Sequence, residues 1–198
     1  MIIILSIILA YLIGSIPVGY ILCRFIKKID IRKYGSGNIG ATNVYRIAGG
    51  KLASVVLVLD ILKGFLPVFI AKYFLSTPYV IFTGITSIIG HNYSVFLKGK
   101  GGKGVSTGFG VIIGLFPIPA LFTFFVWIAV VISTRYVSLG AISASLCLPF
   151  FISTFQKDKI LTITGIIISL LIIYAHRTNI KRLLNKKENR ILLPWKKR

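Results

Sequence analysis

The sequence predicts an all-α integral membrane protein of seven transmembrane helices, with its N-terminus outside and its C-terminus cytoplasmic. Three observations predict this. The 198-residue chain is 56% hydrophobic and its mean hydropathy is +0.88, far outside the range of soluble domains. Several apolar runs approach or exceed the roughly 20 residues that cross a bilayer. Nearly all of the 24 basic residues lie between those runs, with only four acidic residues to balance them. Helices follow because backbone polar groups in lipid must be satisfied internally, and the runs lack the alternation of a membrane barrel.

The first run, Ile2–Leu22, has no basic residue ahead of it; the charges follow at Arg24, Lys27 and Lys28. That order argues for a retained first helix rather than a cleaved signal peptide. Residues 24–51 then carry seven basic residues, marking a cytoplasmic loop. The second run, Leu52–Leu75, contains Asp60 and Lys63 at i, i+3. Ionisable groups at membrane depth pair with one another, so these two are expected to face the bundle as a mutual pair; a proton or ion pathway is the sharper alternative. Pro78–Leu97 forms the third run, and Lys98, Lys100 and Lys103 follow it.

Val105–Ser133 is 29 residues, long for one span and short for two. Read as one helix, it would put the nine basic residues of positions 176–198 outside. Read as short helices 4 and 5, broken at Phe116–Ala120 by Pro117 and Pro119, it returns them to the cytoplasm. Val137–Phe155 and Ile160–Ala175 complete the seven. No internal repeat is visible, and residues 1–198 read as a single transmembrane domain.

A net charge of +20 invites a nucleic-acid reading, but the charges flank apolar runs instead of forming a basic face on a soluble fold. Cys23 and Cys147 are isolated, without metal-ligand spacing, and read as small core residues with no disulfide and no zinc. The scattered carboxylates make a dedicated metal site improbable, and no cofactor is expected.

In this topology three polar runs reach the cytoplasmic face, where they can build one site. In GSGNIGATNVYR (35–46) small residues permit close backbone approach, and consecutive N–H groups can cup an anion. A helix starting near Gly40 would add orphan N–H groups and put Thr42 and Arg46 on one face, with Asn43 beside them. A flexible loop with a helix cap is the plain alternative. GHNYSVFLKGKGGKGVSTG (90–108) lacks the Ser or Thr that a P-loop needs after Gly102-Lys103. Its glycines can still approach an oxyanion while Lys103 supplies charge; a basic turn at a helix end is the alternative. In HRTNIKRL (176–183), His176 and Asn179 are i, i+3 neighbours.

Together these runs resemble the bacterial acyl-phosphate-dependent glycerol-3-phosphate acyltransferases of the PlsY type. Residues 35–46 match a first motif, GSGNxGATNxxR, throughout. A second, GHxFPxFLxFKGGKGVAT, is matched at Gly90, His91, Phe96, Leu97 and Lys100–Val105, with Tyr93, Ser94 and Gly99 departing from it. A third, HRxNIxRLxxGxE, is matched at His176, Arg177, Asn179, Ile180, Arg182, Leu183 and Glu188, with Lys186 where glycine is usual.

The resemblance implies transfer of a fatty acyl group from acyl phosphate to the 1-hydroxyl of glycerol 3-phosphate, the first acylation of phospholipid synthesis. It implies a multi-pass protein of the bacterial inner membrane with its site on the cytoplasmic side. The implied partners are these two substrates, membrane lipid and a soluble acyl-phosphate-producing enzyme, with no nucleic acid. Ser36, Gly37, Asn38, Gly40 and Thr42 would hold the acyl phosphate and the developing oxyanion. Arg46 and Lys103, with Gly101, Gly102 and Gly104 beside them, would clamp the glycerol phosphate. Asn43, His176 and Asn179 would orient its hydroxyls, with Ser138 contributing from a helix start. An acyl phosphate is already activated, and the chain has neither a nucleophile elbow nor an H-x-x-x-x-D pair, so positioning and electrostatics carry the reaction. Two bases remain, His176 or the donor's own phosphate oxygen. A transporter for organic anions would explain the cations too, but such sites lie near the midplane between repeated halves. A lipid-binding scaffold would not need converging His, Asn and Arg.

Overall fold

The computed structural model describes residues 1–191, and the regular elements among them are all helical. Lys196, Lys197 and Arg198, three of the nine tail charges, lie outside the described residues. The chain forms two compact units, Met1–Leu115 and Phe116–Arg198.

The first unit begins with α1 (Ile2–Ser15) and α2 (Val18–Ile26), separated at Ile16-Pro17. Proline has no N–H to donate and clashes with a preceding helical turn, so the first apolar run is interrupted there. A connection containing a 3₁₀ turn (Ile31–Lys33) leads to the short α3 (Ala41–Ala48), then to α4 (Gly50–Ala71), α5 (Thr77–Asn92) and α6 (Val105–Leu115). A second 3₁₀ turn, Val95–Leu97, follows α5. Glycines set the helix packing. A β-carbon at Gly14 would fall on the Ser87 carbonyl oxygen, and one at Gly90 on that of Tyr11, so α1 and α5 meet backbone to backbone. Gly64 against Thr107 and Gly110 against Ile61 do the same for α4 and α6. Apolar burial does not drive helices together in lipid; small residues that admit close van der Waals contact do.

Asp60 and Lys63 are buried at 2% and 6% exposure, and Lys63 Nζ lies 2.8 Å from Asp60 Oδ1, the pairing expected from their spacing. Lys63 also donates to the Ile16 carbonyl oxygen at 2.8 Å, satisfying backbone freed by the α1–α2 break.

The second unit consists of α7 (Pro117–Thr134), α8 (Val137–Gln156), α9 (Lys159–Ala175) and α10 (Arg177–Leu184). Gly140 sits against Val131 and Trp127 of α7, and Gly165 against Ile152 and Pro149 of α8. Asp158 caps α9 by accepting from the Leu161 N–H at 3.0 Å. At His176 the chain turns by 62° into α10.

Among the described residues five helical stretches are long and apolar enough to cross a membrane: Ile2–Ile26, Gly50–Ala71, Thr77–Leu97, Pro117–Thr134 and Val137–Gln156. The bent pair α9–α10 makes a sixth. The seventh expected span is α6, whose 11 residues reach only about 16 Å, roughly half of the hydrocarbon thickness. The expectation of two short helices is corrected for the second of them. The break falls at Phe116 alone, because Pro117 occupies the first helical position, where no N–H is needed. Pro119 fits the same first turn, so α7 runs a full 18 residues.

Candidate active site

The GSGNIGATNVYR run is an ordered cradle built around one buried amide. Asp30 starts it: its carboxylate accepts from the Arg32 N–H at 3.1 Å and pairs with the Arg32 guanidinium at 2.7 Å. The Arg32 hydrogen bond holds the Asp30 carboxyl down to about 2. The same guanidinium lies 4.5 Å from the Tyr20 ring centroid, tying the connection to α2. Gly35 (φ +59°) and Gly37 (φ +71°) then turn the chain through left-handed conformations that other residues resist.

Asn43, on the first turn of α3 and only 1% exposed, holds this turn from inside. Its Oδ1 accepts from the Ser36 N–H at 2.9 Å. Its Nδ2 donates to the carbonyl oxygens of Asn38 (2.8 Å), Tyr34 (3.0 Å) and Ile31 (3.4 Å). The structure thus directs Asn43 into the loop, where it is a scaffold for Ser36 and Asn38. Asn38 Oδ1 accepts from the Gly40 N–H at 2.8 Å, and Gly40 is the N-cap of α3, as the sequence predicts. Thr42 and Arg46 lie on α3 one turn apart, both half-buried. Ile39 and Val44 anchor the cradle in an apolar cluster with Val18, Cys23 and Val56, and a β-carbon at Gly19 of α2 would overlap the Ile39 carbonyl oxygen.

The second polar run folds back over the end of α5. Ser94, a departure from the family motif, is fully buried and donates to the Ser15 carbonyl oxygen of α1 at 2.5 Å. Tyr11 donates to the Tyr93 carbonyl oxygen at 2.9 Å. Leu97 joins the apolar cluster that holds Ile39 and Val44, so both loops rest on one core. The N–H groups of Gly101 and Gly102 do not point outward to an anion. They donate to the carbonyl oxygens of Asn92 (3.1 Å) and His91 (2.9 Å), which the end of α5 leaves without helical partners. Their lack of a side chain serves that close approach: a β-carbon at Gly101 would strike the His91 carbonyl oxygen, and one at Gly102 the His91 imidazole. Gly104 (φ +76°) turns the chain into α6, and Lys103 stands half-buried between these glycines.

In the second unit Asn179 and Ser138 meet on the carboxylate of Glu188, which the sequence marks as a motif match without a role. The Glu188 side chain is 4% exposed. Its Oε1 accepts from Asn179 Nδ2 at 2.8 Å and Ser138 Oγ at 3.1 Å, and its Oε2 pairs with Arg182 Nε at 2.8 Å. Burial works against the charge, but the hydrogen bonds from Arg182, Asn179 and Ser138 outweigh it and hold the carboxyl below its usual value. In the sequence Glu188 stands out only as the last position of the third motif and as the lone acid among the basic residues 181–190. Lys186 turns the tail at φ +55°, and the Ile191 N–H donates to the Arg135 carbonyl oxygen at 2.9 Å, bringing residues 185–191 back to the start of α8. His176 is buried at the α9–α10 turn, with Nδ1 2.8 Å from the Ile172 carbonyl oxygen. A carbonyl only accepts, so Nδ1 carries the proton of the neutral ring.

Among the described residues no group of three or more His, Cys, Asp or Glu could hold a metal ion. Each of the four carboxylates has a structural partner: Asp30 with Arg32, Asp60 with Lys63, Asp158 with the start of α9 and Glu188 with Arg182.

Comparison with known proteins shows the family and the fold. A family model described as glycerol-3-phosphate acyltransferase matches residues 4–186. The chain is 43% identical to a glycerol-3-phosphate acyltransferase of Thermoanaerobacter pseudethanolicus, over 95% of each chain. It is 45% identical to one from Aquifex aeolicus, covering 93% of this chain and 96% of that one. It superposes with a TM-score of 0.92, at 43% identity and over 97% and 96% of the two chains, on the crystal structure of PlsY (YgiH), an integral membrane glycerol 3-phosphate acyltransferase, in its glycerol 3-phosphate form. The lysophosphatidic acid form of PlsY gives 0.90 at 42% identity, over the same shares of the two chains.

Proposed function

This chain belongs to the glycerol-3-phosphate acyltransferase family, as an integral multi-pass membrane protein of the PlsY type, and from that premise we propose which reaction it runs and how. It transfers a fatty acyl group from acyl phosphate to the 1-hydroxyl of glycerol 3-phosphate, giving 1-acylglycerol 3-phosphate and inorganic phosphate. The observation that carries the choice of donor is the engagement of all four carboxylates in structural contacts. No side-chain carboxylate is left to deprotonate an alcohol, which favours a donor that arrives activated and carries its own base. A mixed carboxylic–phosphoric anhydride does both.

The glycerol hydroxyl oxygen attacks the acyl carbon, the bond from that carbon to the phosphate oxygen breaks, and the hydroxyl proton passes to the departing phosphate. The protein supplies position and charge. Ser36 and Thr42 present their hydroxyls and Asn38 its side-chain amide N–H to the acyl phosphate and the developing oxyanion, while Gly37 and Gly40, their own N–H groups engaged within the turn, shape it and Asn43 keeps it rigid. Arg46 and Lys103 clamp the glycerol phosphate. His176 and Asn179 orient the accepting hydroxyls, with Glu188 and Ser138 fixing Asn179. Gly101, Gly102 and Gly104 act through the loop they shape. The enzyme works in the bacterial cytoplasmic membrane, N-terminus outside and site on the cytoplasmic face, supplied by a soluble enzyme that makes acyl phosphate.

The test incubates detergent-purified protein with palmitoyl phosphate and glycerol 3-phosphate, following release of phosphate and formation of lysophosphatidic acid, with palmitoyl-coenzyme A in parallel. Turnover with the acyl phosphate alone supports the proposal. Turnover with the thioester alone overturns the donor, and none with either, in folded protein, overturns the reaction.

A further inference from the structure

Beneath the two loops of the first unit lies a polar cluster to which the reaction assigns nothing. Asp60, Lys63 and His91 are 2%, 6% and 4% exposed, inside helices that cross the membrane. The ion pair between Asp60 and Lys63 closes at 2.8 Å, and His91 Nδ1 lies 3.9 Å from the same Asp60 oxygen, beyond hydrogen-bond range and with no other hydrogen-bond partner among the described residues. Bundle stability alone does not call for this third member. Ionisable groups inside a membrane protein are expensive and are kept where they serve a purpose.

The surroundings of His91 indicate the purpose. On the far side of its ring from Asp60, a β-carbon at Gly102 would overlap Nε2, so the glycine loop lies directly on the imidazole. The backbone of the same residue holds that loop as well, its carbonyl oxygen accepting from the Gly102 N–H at 2.9 Å. Lys103 is the next residue. Lys63, for its part, reaches the Ile16 carbonyl oxygen immediately before α2, the helix whose Gly19 backs onto Ile39 of the first loop. One buried cluster thus contacts the supports of both loops.

We propose that His91 is a positioning residue for the reaction: its ring, backed by the Asp60–Lys63 pair, is the platform that fixes Gly102 and so places Lys103 on the glycerol phosphate. The clamp role of Lys103 comes from the function proposed above, and the experiment separates the two. In purified protein, hydrogen exchange of residues 99–104 reads the platform without any reaction, and the KM for glycerol 3-phosphate reads its consequence. His91→Ala is expected to speed exchange in 99–104 at least tenfold, leave α8 unchanged, and raise KM about tenfold with a smaller change in kcat. His91→Phe, which refills the space under Gly102, is expected to bring both readouts back to within about threefold of wild type. Faster exchange without a KM change would retain the platform and refute the clamp role of Lys103. Unchanged exchange in His91→Ala would overturn the proposal, as would a folded His91→Phe protein whose loop exchanges at least tenfold faster than wild type, a measurement that decides the matter even where the alanine variant does not fold.

Discussion

The side-chain amide of Asn43 donates to the carbonyl oxygen of Asn38 across 2.8 Å while its own oxygen accepts from the Ser36 N–H at 2.9 Å. A single buried residue therefore sets the shape of the segment that carries the candidate donors. Removing it leaves the Ser36 N–H and several carbonyl groups without their partner. Each buried polar group so stranded costs about 1–3 kcal/mol. Asn43→Ala is expected to lower the midpoint of thermal unfolding and reduce kcat by at least about 10²-fold, the loss typical of a displaced transition-state donor. A variant with wild-type turnover would show that the cradle does not depend on this amide.

Much of this arrangement can be read along the chain, and the failures share one cause. Composition and periodicity find the apolar helices, a break within Phe116–Ala120, a helix start near Gly40 and the buried Asp60–Lys63 pair, because each depends on residues close in sequence. Direction is another matter. Nothing local says that Asn43 turns inward, or that the Gly101 and Gly102 N–H groups close onto α5 rather than onto an anion. Glu188 was legible only as a motif match, since its partners Ser138 and Asn179 lie 50 and 9 residues away. The length of α7 was missed because prolines in a first helical turn look the same in sequence as prolines that break a helix.

Lys186 shows a departure from the family pattern with a measurable consequence. It stands where glycine is usual and adopts φ +55°. A left-handed backbone costs a residue bearing a β-carbon about 1–2 kcal/mol, partly offset because glycine loses more freedom on folding. Lys186→Gly is therefore expected to stabilise the protein by up to about 1 kcal/mol, with turnover unchanged. A lower unfolding midpoint in the glycine variant would show that the lysine side chain contributes more than its backbone costs.

Glu188 makes stability depend on acid. Its folded-state pKa lies below the ordinary glutamate value, so its contribution is complete above the unfolded value and is lost as pH falls through the folded one. Near neutral pH, Glu188→Gln should be destabilised by about 2 kcal/mol, the scale of a hydrogen bond to a charged group. Towards acid the two proteins should converge. Thermal unfolding of both across this range is the measurement; a constant difference would mean that the carboxylate is not charged in the fold.

The buried pair in α4 predicts an asymmetry between single and double substitution. Removing one partner leaves an uncompensated charge in the bundle and costs about 3–5 kcal/mol, whereas replacing both with apolar groups of similar volume is often neutral. Asp60→Leu and Lys63→Met are each expected to express poorly or unfold early, and the double variant to recover most of the loss. Lys63 also holds the Ile16 carbonyl oxygen, so recovery should stop short of wild type. A double variant as unstable as the worse single one would refute mutual compensation.

His176 supplies the sharpest test of how the proton leaves. Its Nδ1–H is directed to the Ile172 carbonyl oxygen at 2.8 Å, which fixes the ring and places the lone pair of the neutral form on Nε2. Such an imidazole can orient a hydroxyl or deprotonate it, and the two roles differ in their dependence on pH. If His176 were the base, kcat would fall on the acid side with the imidazole's own titration, and His176→Ala would abolish that limb. With the donor phosphate as base, the limb follows the phosphate and persists in the variant. The mechanism proposed above takes the second case. His176→Ala is therefore expected to lose about 10²-fold in kcat, the scale of a misplaced reactant, while keeping the acid limb of its pH–rate profile. A profile that becomes flat on the acid side would transfer the role of base to His176.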